Sequence, residues 1–545
     1  MLKHYNRFQK GTSHYLFFQE AEFMAKKFWS MILAIVMLAS VFAMSGIAEE
    51  LSGTITISTL ARPGSVQGWT EVIKAYTEMH PNVNIVLDLK PEDGYAEWIT
   101  NITRTENPVP DIGEFDWGDY TSAKMIDWAD YLDLDSPYSD GTWGEQFDPS
   151  GVIATISGNL EKVSFTSTQV MWMYNKEIFE KVGVEPPKTW DELVTVCEKL
   201  YAAGYQPIAI DGDYHSYSAR CMSWLVQIYI DQVNRPLINV VRAQEGDYCY
   251  DPDIDGVWEY DPTDPWNDDV TKVTQNLVRI AKALYEGEDW RMDTVGAKTI
   301  WSNFAKVFPK YVGGEAWFAT DADGMSNAFY QGKAAMMVNG GWEIVTYMRT
   351  MEEFAKTGYY ENAEGEKVEG NVFTLGTFPM PTMEGEGIVA KVRTIEVPTI
   401  GLMAISKSQE HNDLVADFMM YYSSKEGMSK YMNAMLENGG SVDGPSYVYG
   451  VEYPANVASA FENVEYIGNA QKGYLNVFAK GVPLIDESCR EFYNDAYEFF
   501  MGKITVDELL ARSQVNLEKY LPFLLPGLGI SVQDLENPAN APVGY

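Results

Sequence analysis

Between Thr54 and Ile112 the apolar residues switch repeatedly between a period of two and helical spacing, and this alternation restricts the fold more than any other feature of the chain. Thr54-Ile55-Thr56-Ile57-Ser58 alternates and predicts a strand. After the loop Ala61-Arg62-Pro63-Gly64-Ser65, the residues Trp69, Val72, Ile73, Tyr76 and Met79 recur at helical spacing. His80-Pro81-Asn82 ends that helix, because the residue before a proline is pushed out of helical geometry. Val83 to Leu89 predicts a second strand, Tyr95 to Arg104 a second helix, and Pro110-Asp111-Ile112 opens a third strand. Strand and helix in alternation predict an α/β domain with a largely parallel sheet.

The pattern returns downstream. Val170 to Tyr174 is strand-like, and Trp190 to Ala203 predicts an amphipathic helix with Thr189 and Glu192 spaced as a capping box. Pro207-Ile208-Ala209-Ile210 and Lys333 to Val338 predict buried strands, ending at Asp211-Gly212-Asp213 and Asn339-Gly340-Gly341-Trp342. Loops at the carboxyl ends of such strands are where open α/β sheets bind ligands. With 545 residues the chain exceeds one core and implies two or three folding units. Residues 245–269, rich in Asp, Pro and Trp and without periodicity, predict an inserted loop.

The formal charge of −38 disfavours nucleic acid and anionic membranes as partners. At the N-terminus, Lys26-Lys27, an apolar run from Phe28 to about Met44, and Ser45-Gly46-Ile47-Ala48 before Glu49-Glu50 describe a secretory signal peptide over 24–48, cleaved after Ala48. The rival reading is a retained membrane anchor. Residues 1–23 fit neither and read as an over-extended reading frame ahead of Met24. Export permits disulfides, and of Cys197, Cys221, Cys249 and Cys489 the pairing to test first is Cys221–Cys249, with Cys197 a buried thiol.

Enzymatic signatures are scarce. The chain has no His-Glu-x-x-His, no paired Cys spacing, no phosphate-loop pattern around Gly332-Lys333 and no Gly-x-Ser-x-Gly elbow. Asp251-x-Asp253-x-Asp255-Gly256 matches the first half of a calcium loop, but position 12 is Pro262 where a bidentate Glu is expected, with Glu259 and Asp261 as nearby substitutes. A structural calcium held by Asp251, Asp253 and Asp255 is one expectation and a solvated acidic loop the other.

Several segments in order resemble the family 1 extracellular solute-binding proteins, the maltose-binding-protein-like receptors of carbohydrate ABC importers. They are Tyr174-Asn175-Lys176-Glu177-Ile178-Phe179-Glu180-Lys181-Val182-Gly183 with Pro187-Lys188-Thr189-Trp190-Asp191-Glu192-Leu193; Phe329-Tyr330-Gln331-Gly332-Lys333-Ala334-Ala335-Met336 with Gly341-Trp342; Phe378-Pro379-Met380-Pro381; Gly401-Leu402-Met403-Ala404-Ile405-Ser406-Lys407; and Phe500-Met501-Gly502-Lys503-Ile504-Thr505 with Asp507-Glu508. The resemblance implies a two-lobed periplasmic-binding-protein-like fold of class II, its lobes joined by strand crossovers. Lobe one would hold 52–168 and 377–435, lobe two 169–376 and 436–525, and 526–545 would be a C-terminal tail. Trp190 would anchor its helix on the sheet rather than touch ligand.

The function implied is capture of an oligosaccharide by hinge closure and delivery to ABC permease subunits, by a monomer that needs no cofactor and catalyses nothing. Trp342 is the leading contact, a ring for the C–H face of a pyranose. Arg62 and Ser65 after the first strand, Asp116 and Trp117 after the third, Thr168 before the first crossover, and Asp213 and Tyr214 after a lobe-two strand offer hydrogen bonds or faces to a sugar. Gly440 and Ser441 follow the last crossover. The chain is longer than typical members, carries the acidic insertion and lacks a cysteine for lipid attachment, which suggests periplasmic residence or free secretion. A secreted glycan-cleaving enzyme and a receptor of the same fold for a non-sugar solute are the alternatives.

Overall fold

The computed structural model describes residues 51–543 apart from 119, 149–150, 155–158, 270–271, 363–364, 463, 471–480, 482 and 484. The expected signal peptide, its cleavage point and the 1–23 extension lie outside the described residues. Two compact units are distinguished. One comprises Ile55–Tyr76 and Ile85–Tyr545. The other includes 51–54 and 77–84, where the Gly53 amide donates to the Asn82 carbonyl at 3.3 Å.

The main sheet contains β1 (Gly53–Ser58), β2 (Val83–Leu87), β3 (Ile112–Gly113), β4 (Val152–Ala154), β5 (Leu160–Asn175), β6 (Gln206–Ala209), β7 (Ala334–Gly340), β10 (Leu375–Phe378) and β11 (Glu396–Ala404); β8 (Tyr359–Glu361) and β9 (Lys367–Glu369) form a separate ribbon. Its order is β2-β1-β3-β11-β5-β7-β6, with β4 and β10 also on β5. The sheet is mixed rather than largely parallel. β1–β3 and β6–β7 are parallel, and every pairing made by β5 or β11 is antiparallel. Periodicity reports burial and not strand direction, so the difference was invisible to it.

β5 is sixteen residues long and changes partner along its length. Up to Gln169 it pairs with β11, and from Val170 to Tyr174 with β7. Its β-branched and aromatic residues suit a strand buried on both faces. Asn175 then caps the Lys176–Val182 helix by accepting from the Ile178 amide at 3.1 Å.

The expected helices form close to their predicted limits. Ser65–Met79 buries Trp69, Val72 and Tyr76, and Trp69 stacks on Tyr422 with ring centroids 4.9 Å apart. Tyr95–Ile102 is the second helix, and Trp190–Ala202 carries the expected capping box. Thr505 and Glu508 form another at the start of Val506–Leu524. Trp190 anchors its helix on other helices: its indole N–H donates to the Asn303 carbonyl at 2.8 Å and its ring meets Tyr229 and Phe304 edgewise.

Two expectations are corrected. Cys221 and Cys249 form no disulfide, and all four cysteines are free thiols. Cys221 lies in the main core with its sulfur 3.5 Å from the Val338 carbonyl, while Cys249 faces the Gln275 carbonyl instead. The segment after 525 is not a loose tail: Leu525, Ile530 and Leu535 are buried in a separate core with Ile238, Val241, Leu277, Ile280 and Leu284.

The acidic insertion contains no helix or strand among its described residues, as expected. Arginines tie it down. Arg279 makes a bidentate pair with Asp247 at 2.6 and 2.9 Å. Arg393, 1% exposed, is gripped by Asp231 on one side and Asp268 on the other at 2.5–2.9 Å, and donates to the Pro265 carbonyl at 2.9 Å. Burial opposes the charge on Asp231, but Arg393 and Arg235 outweigh it and hold the carboxyl below its ordinary value.

Removing the cation would strand the buried Asp268 carboxylate and leave Asp231 with Arg235 alone, so Arg393→Met is expected to cost about 3–5 kcal/mol in urea unfolding. The unfolded chain takes up the Asp231 proton at higher pH than the folded one. The stabilisation from Asp231 is therefore complete above about pH 4 and lost as pH falls through the folded value, and Arg393→Met should flatten that acid-side loss.

Candidate functional site

Parallel strands β1 and β3 end side by side, with Ser58 opposite Gly113. Each leads into a charged loop at its carboxyl end, the position where open α/β sheets receive ligands. Arg62 follows β1, and Glu114 and Asp116 follow β3. The two Nη atoms of Arg62 meet the two carboxylate oxygens of Glu114 at 2.7 and 2.6 Å. Glu114 is buried and also accepts the Leu60 amide at 3.2 Å. Burial works against the Arg62 charge, but the Glu114 pair outweighs it and raises the guanidinium above its ordinary value. Lys162 on β5 reaches Asp116 at 2.5 Å.

The remaining walls come from distant parts of the chain. β11 contributes Pro398, Thr399 and Gly401. The Trp342–Thr357 helix contributes Thr346 and Arg349, and the Lys425–Glu437 helix contributes Tyr431 and Met435. Gly439, Ser441 and Asp443 follow that helix. With Pro63 and Trp117 these residues enclose a cleft of about 460 Å³, within the usual range for small-molecule sites. Burial pushes the Asp443 carboxyl upward, with Thr399 and Arg62 pulling the other way and Glu114 reinforcing the rise. A larger groove of about 950 Å³ runs between 262–265 and 379–392, away from the ends of β1 and β3.

Two glycines allow the walls to meet. Gly64 has φ +73°, and a Cβ there would stand 2.2 Å from the Met435 carbonyl oxygen, which accepts from the Gly440 amide at 2.8 Å. Gly341 has an ordinary helical φ, but a Cβ there would lie 2.2 Å from the Asp443 carbonyl oxygen. Its amide donates to Thr168 Oγ1 at 3.1 Å, so β5, the start of the Trp342–Thr357 helix and the 443 segment pack backbone to backbone.

Of the residues singled out from sequence, Arg62, Asp116, Trp117 and Ser441 line the cleft. Trp117 is 44% exposed there. Trp342 is not among the lining residues. Its ring folds over Gly340 and meets Trp224 edgewise at 5.9 Å, while its helix carries Thr346 and Arg349 to the cleft one and two turns later. Ser65 is buried and closes its own turn, donating to the Arg62 carbonyl at 2.6 Å and accepting the Arg62 amide at 3.1 Å. Thr168 receives the Gly341 amide, and Gly440 packs against Met435 and the Pro63 carbonyl.

Asp213 and Tyr214 lie elsewhere. Asp213 caps the Tyr214–Ala219 helix through the Ser216 amide at 3.0 Å, and Tyr214 bonds Asp486 beneath the Arg490 guanidinium. In the acidic loop, Asp255 accepts the Asp251 and Thr274 amides with its two oxygens, and Asp251 accepts the Asp253 amide. No group of three acidic, His or Cys side chains among the described residues is placed to hold a metal ion.

Sequence reasoning missed Glu114, Lys162, Thr346, Arg349, Thr399, Tyr431 and Asp443. Thr346 and Arg349 were within reach, since they stand at i+4 and i+7 from Trp342 on one helical face. Tyr431 and Asp443 carry no local signal, because their approach to Arg62 is made by tertiary packing.

A polar cleft at the carboxyl ends of β1 and β3, on a mixed sheet threaded by β5, is an arrangement of the periplasmic-binding-protein-like fold. Residues 62–320 match the family profile of the bacterial extracellular solute-binding proteins. The maltotriose-binding protein of Pyrococcus abyssi (strain GE5 / Orsay) is 24% identical over 314 residues, 57% of this chain; the match spans 65% of that relative's length. Among solved structures, the cyclic alpha-maltosyl-1,6-maltose binding protein from Arthrobacter globiformis superposes with a TM-score of 0.54 at 13% identity, covering 86% of this chain and 99% of that one. A family 1 extracellular solute-binding protein from Bifidobacterium longum subsp. infantis gives 0.51 at 14% identity, covering 86% and 100%. Both establish the fold. Among the described residues no helix is long and apolar enough to cross a membrane.

The contact at Gly64 is separable from its backbone conformation. Gly94 has a similar φ of +78° with open space around its Cβ position. Gly94→Ala should therefore cost only the left-handed strain, about 1–2 kcal/mol. Gly64→Ala should cost a further 1–3 kcal/mol or so, because it drives a methyl group into the Met435 carbonyl. Chemical denaturation of the two variants checks the difference.

Proposed function

We propose that the protein is the exported substrate-binding component of an ABC importer, capturing a carbohydrate without altering it and passing it to membrane permease subunits. The observation that carries this reading is the cleft itself. Arg62, Glu114, Lys162 and Asp116 are held in fixed positions by their ion pairs, with the Trp117 ring exposed among them. Preorganised donors and acceptors suit hydroxyl-rich ligands, since little ordering is left to be done on binding. An aromatic face beside them suits the C–H face of a sugar ring. Trp117 takes the stacking role that the sequence suggested for Trp342.

Capture fits the charge arrangement better than cleavage does. A glycosidase needs one carboxyl able to protonate the leaving oxygen and a second facing it. Here both oxygens of Glu114 are bound to Arg62 and Asp116 is bound to Lys162, which leaves Asp443 without a second free carboxylate facing it among the cleft-lining residues. Sugar-binding activity is also what the printed names of the Pyrococcus and Arthrobacter proteins state for those proteins. The ligand would be held by hinge closure about the β5 and β11 crossovers, in a monomer that requires no cofactor.

A thermal-shift screen against oligosaccharides should find at least one that raises the melting temperature and is recovered intact by chromatography. Trp117→Ala should weaken that ligand by roughly tenfold with an unchanged melting temperature in the free protein. A glycan panel without any shift, or release of shortened products, would refute the proposal.

A further inference from the structure

We infer that the ligand of this cleft carries an anionic group, a carboxylate or a phosphate, and that Arg349 is the residue that recognises it. The inference rests on the solute-binding reading above and adds the ligand's charge. Three cations line the cleft: Arg62, Lys162 and Arg349. The first two are neutralised within the protein, Arg62 by both oxygens of Glu114 and Lys162 by Asp116.

Arg349 is different. It is half-buried, yet it makes no hydrogen bond and no ion pair among the described residues. Glu352, one turn along the same helix, is well exposed and lies 3.5 Å from Lys356. Burial draws the Arg349 guanidinium below its ordinary value, opposed only by Glu352. Asp443, also at the cleft wall, is subject to Arg62 rather than Arg349, and its burial favours the neutral form.

A guanidinium taken partly out of water without a carboxylate bonded to it is costly, so its presence beside two cations that are already paired calls for a charge from outside. Its planar fork of donors matches a carboxylate or phosphate with two parallel hydrogen bonds. Neutral hydroxyls would accept those bonds and leave the charge uncompensated. The formal charge of −38 makes the contrast sharper: an unpaired cation in the cleft is the local exception on a chain that otherwise repels anions. The helix that carries Arg349 is anchored at its start. It begins against the Asp443 backbone and is tied to β5 through the Gly341 amide.

Calorimetric titration of the purified protein tests this with matched pairs. The uronate arm sets oligogalacturonates, oligomannuronates and glucuronate-bearing xylo-oligosaccharides against their carboxyl-reduced counterparts. The phosphate arm sets sn-glycerol 3-phosphate and hexose phosphates against the dephosphorylated compounds. The expected result is that one arm contains a ligand bound at least tenfold more tightly than its neutral partner, by an amount that shrinks as NaCl is raised. Arg349→Gln should abolish that preference, weakening the charged ligand at least tenfold more than its neutral partner, and Arg349→Lys should retain part of it. Neutral partners bound as tightly as the charged ones, or equal weakening of both by Arg349→Gln, would overturn the inference and leave the carbohydrate receptor standing. Failure of every glycan and phosphate ester to bind would overturn both.

Discussion

Strand β5 is the constraint on which the rest of the structure depends. One continuous strand pairs with β11 over its first part and with β7 over its second, so the register of each part determines the other. A slip of one residue would turn every side chain to the opposite face. Lys162 would then leave Asp116, and Thr168 would lose the Gly341 amide. The cleft is in this sense a consequence of sheet pairing, with loops from β1 and β3 and the start of the Trp342–Thr357 helix brought to it by one strand.

Charge is used in two ways. Away from the cleft, carboxylates and arginines form closed buried groups such as Asp231–Arg393–Asp268, which tie the irregular acidic insertion to the main helices. Breaking such a group exposes unpaired charge in low dielectric, so it gives definition to a segment that has no helix or strand to define it. At the cleft, the ion pairs lie at the surface of the cavity, where they orient polar groups without closing the space. Among the three cations lining the cleft, Arg349 departs from both patterns, which is why ligand charge follows from it rather than from the net charge of the chain.

The selected residues that do not line the cleft share a physical cause. Ser65, Thr168, Asp213 and Gly440 occupy the loops that sequence reasoning selected, but their polar groups or small size serve the backbone: a turn closure, a strand-to-helix tie, a helix cap and a close packing contact. Loop ends must satisfy their own donors and acceptors before any are left for a ligand. Trp342 illustrates the same point for an aromatic side chain, since the glycines before it let its ring fold back over Gly340.

Hydrophobic periodicity and cap spacing by themselves determined the α/β class, the first strands and helices, the capped helix after Thr189, and the irregular insertion, because each is a local pattern of apolar spacing or capping. The ordered motifs pointed to the family whose profile matches residues 62–320, and position after β1 and β3 was enough to place Arg62, Asp116 and Trp117 at the cleft wall. Tertiary structure alone decided that the sheet is mixed, that Cys221 and Cys249 stay apart, that Leu535 is buried, and that Arg349, Tyr431 and Asp443 share a cleft with Arg62. These depend on strand direction and on contacts between residues hundreds of positions apart, and neither leaves a trace in local spacing.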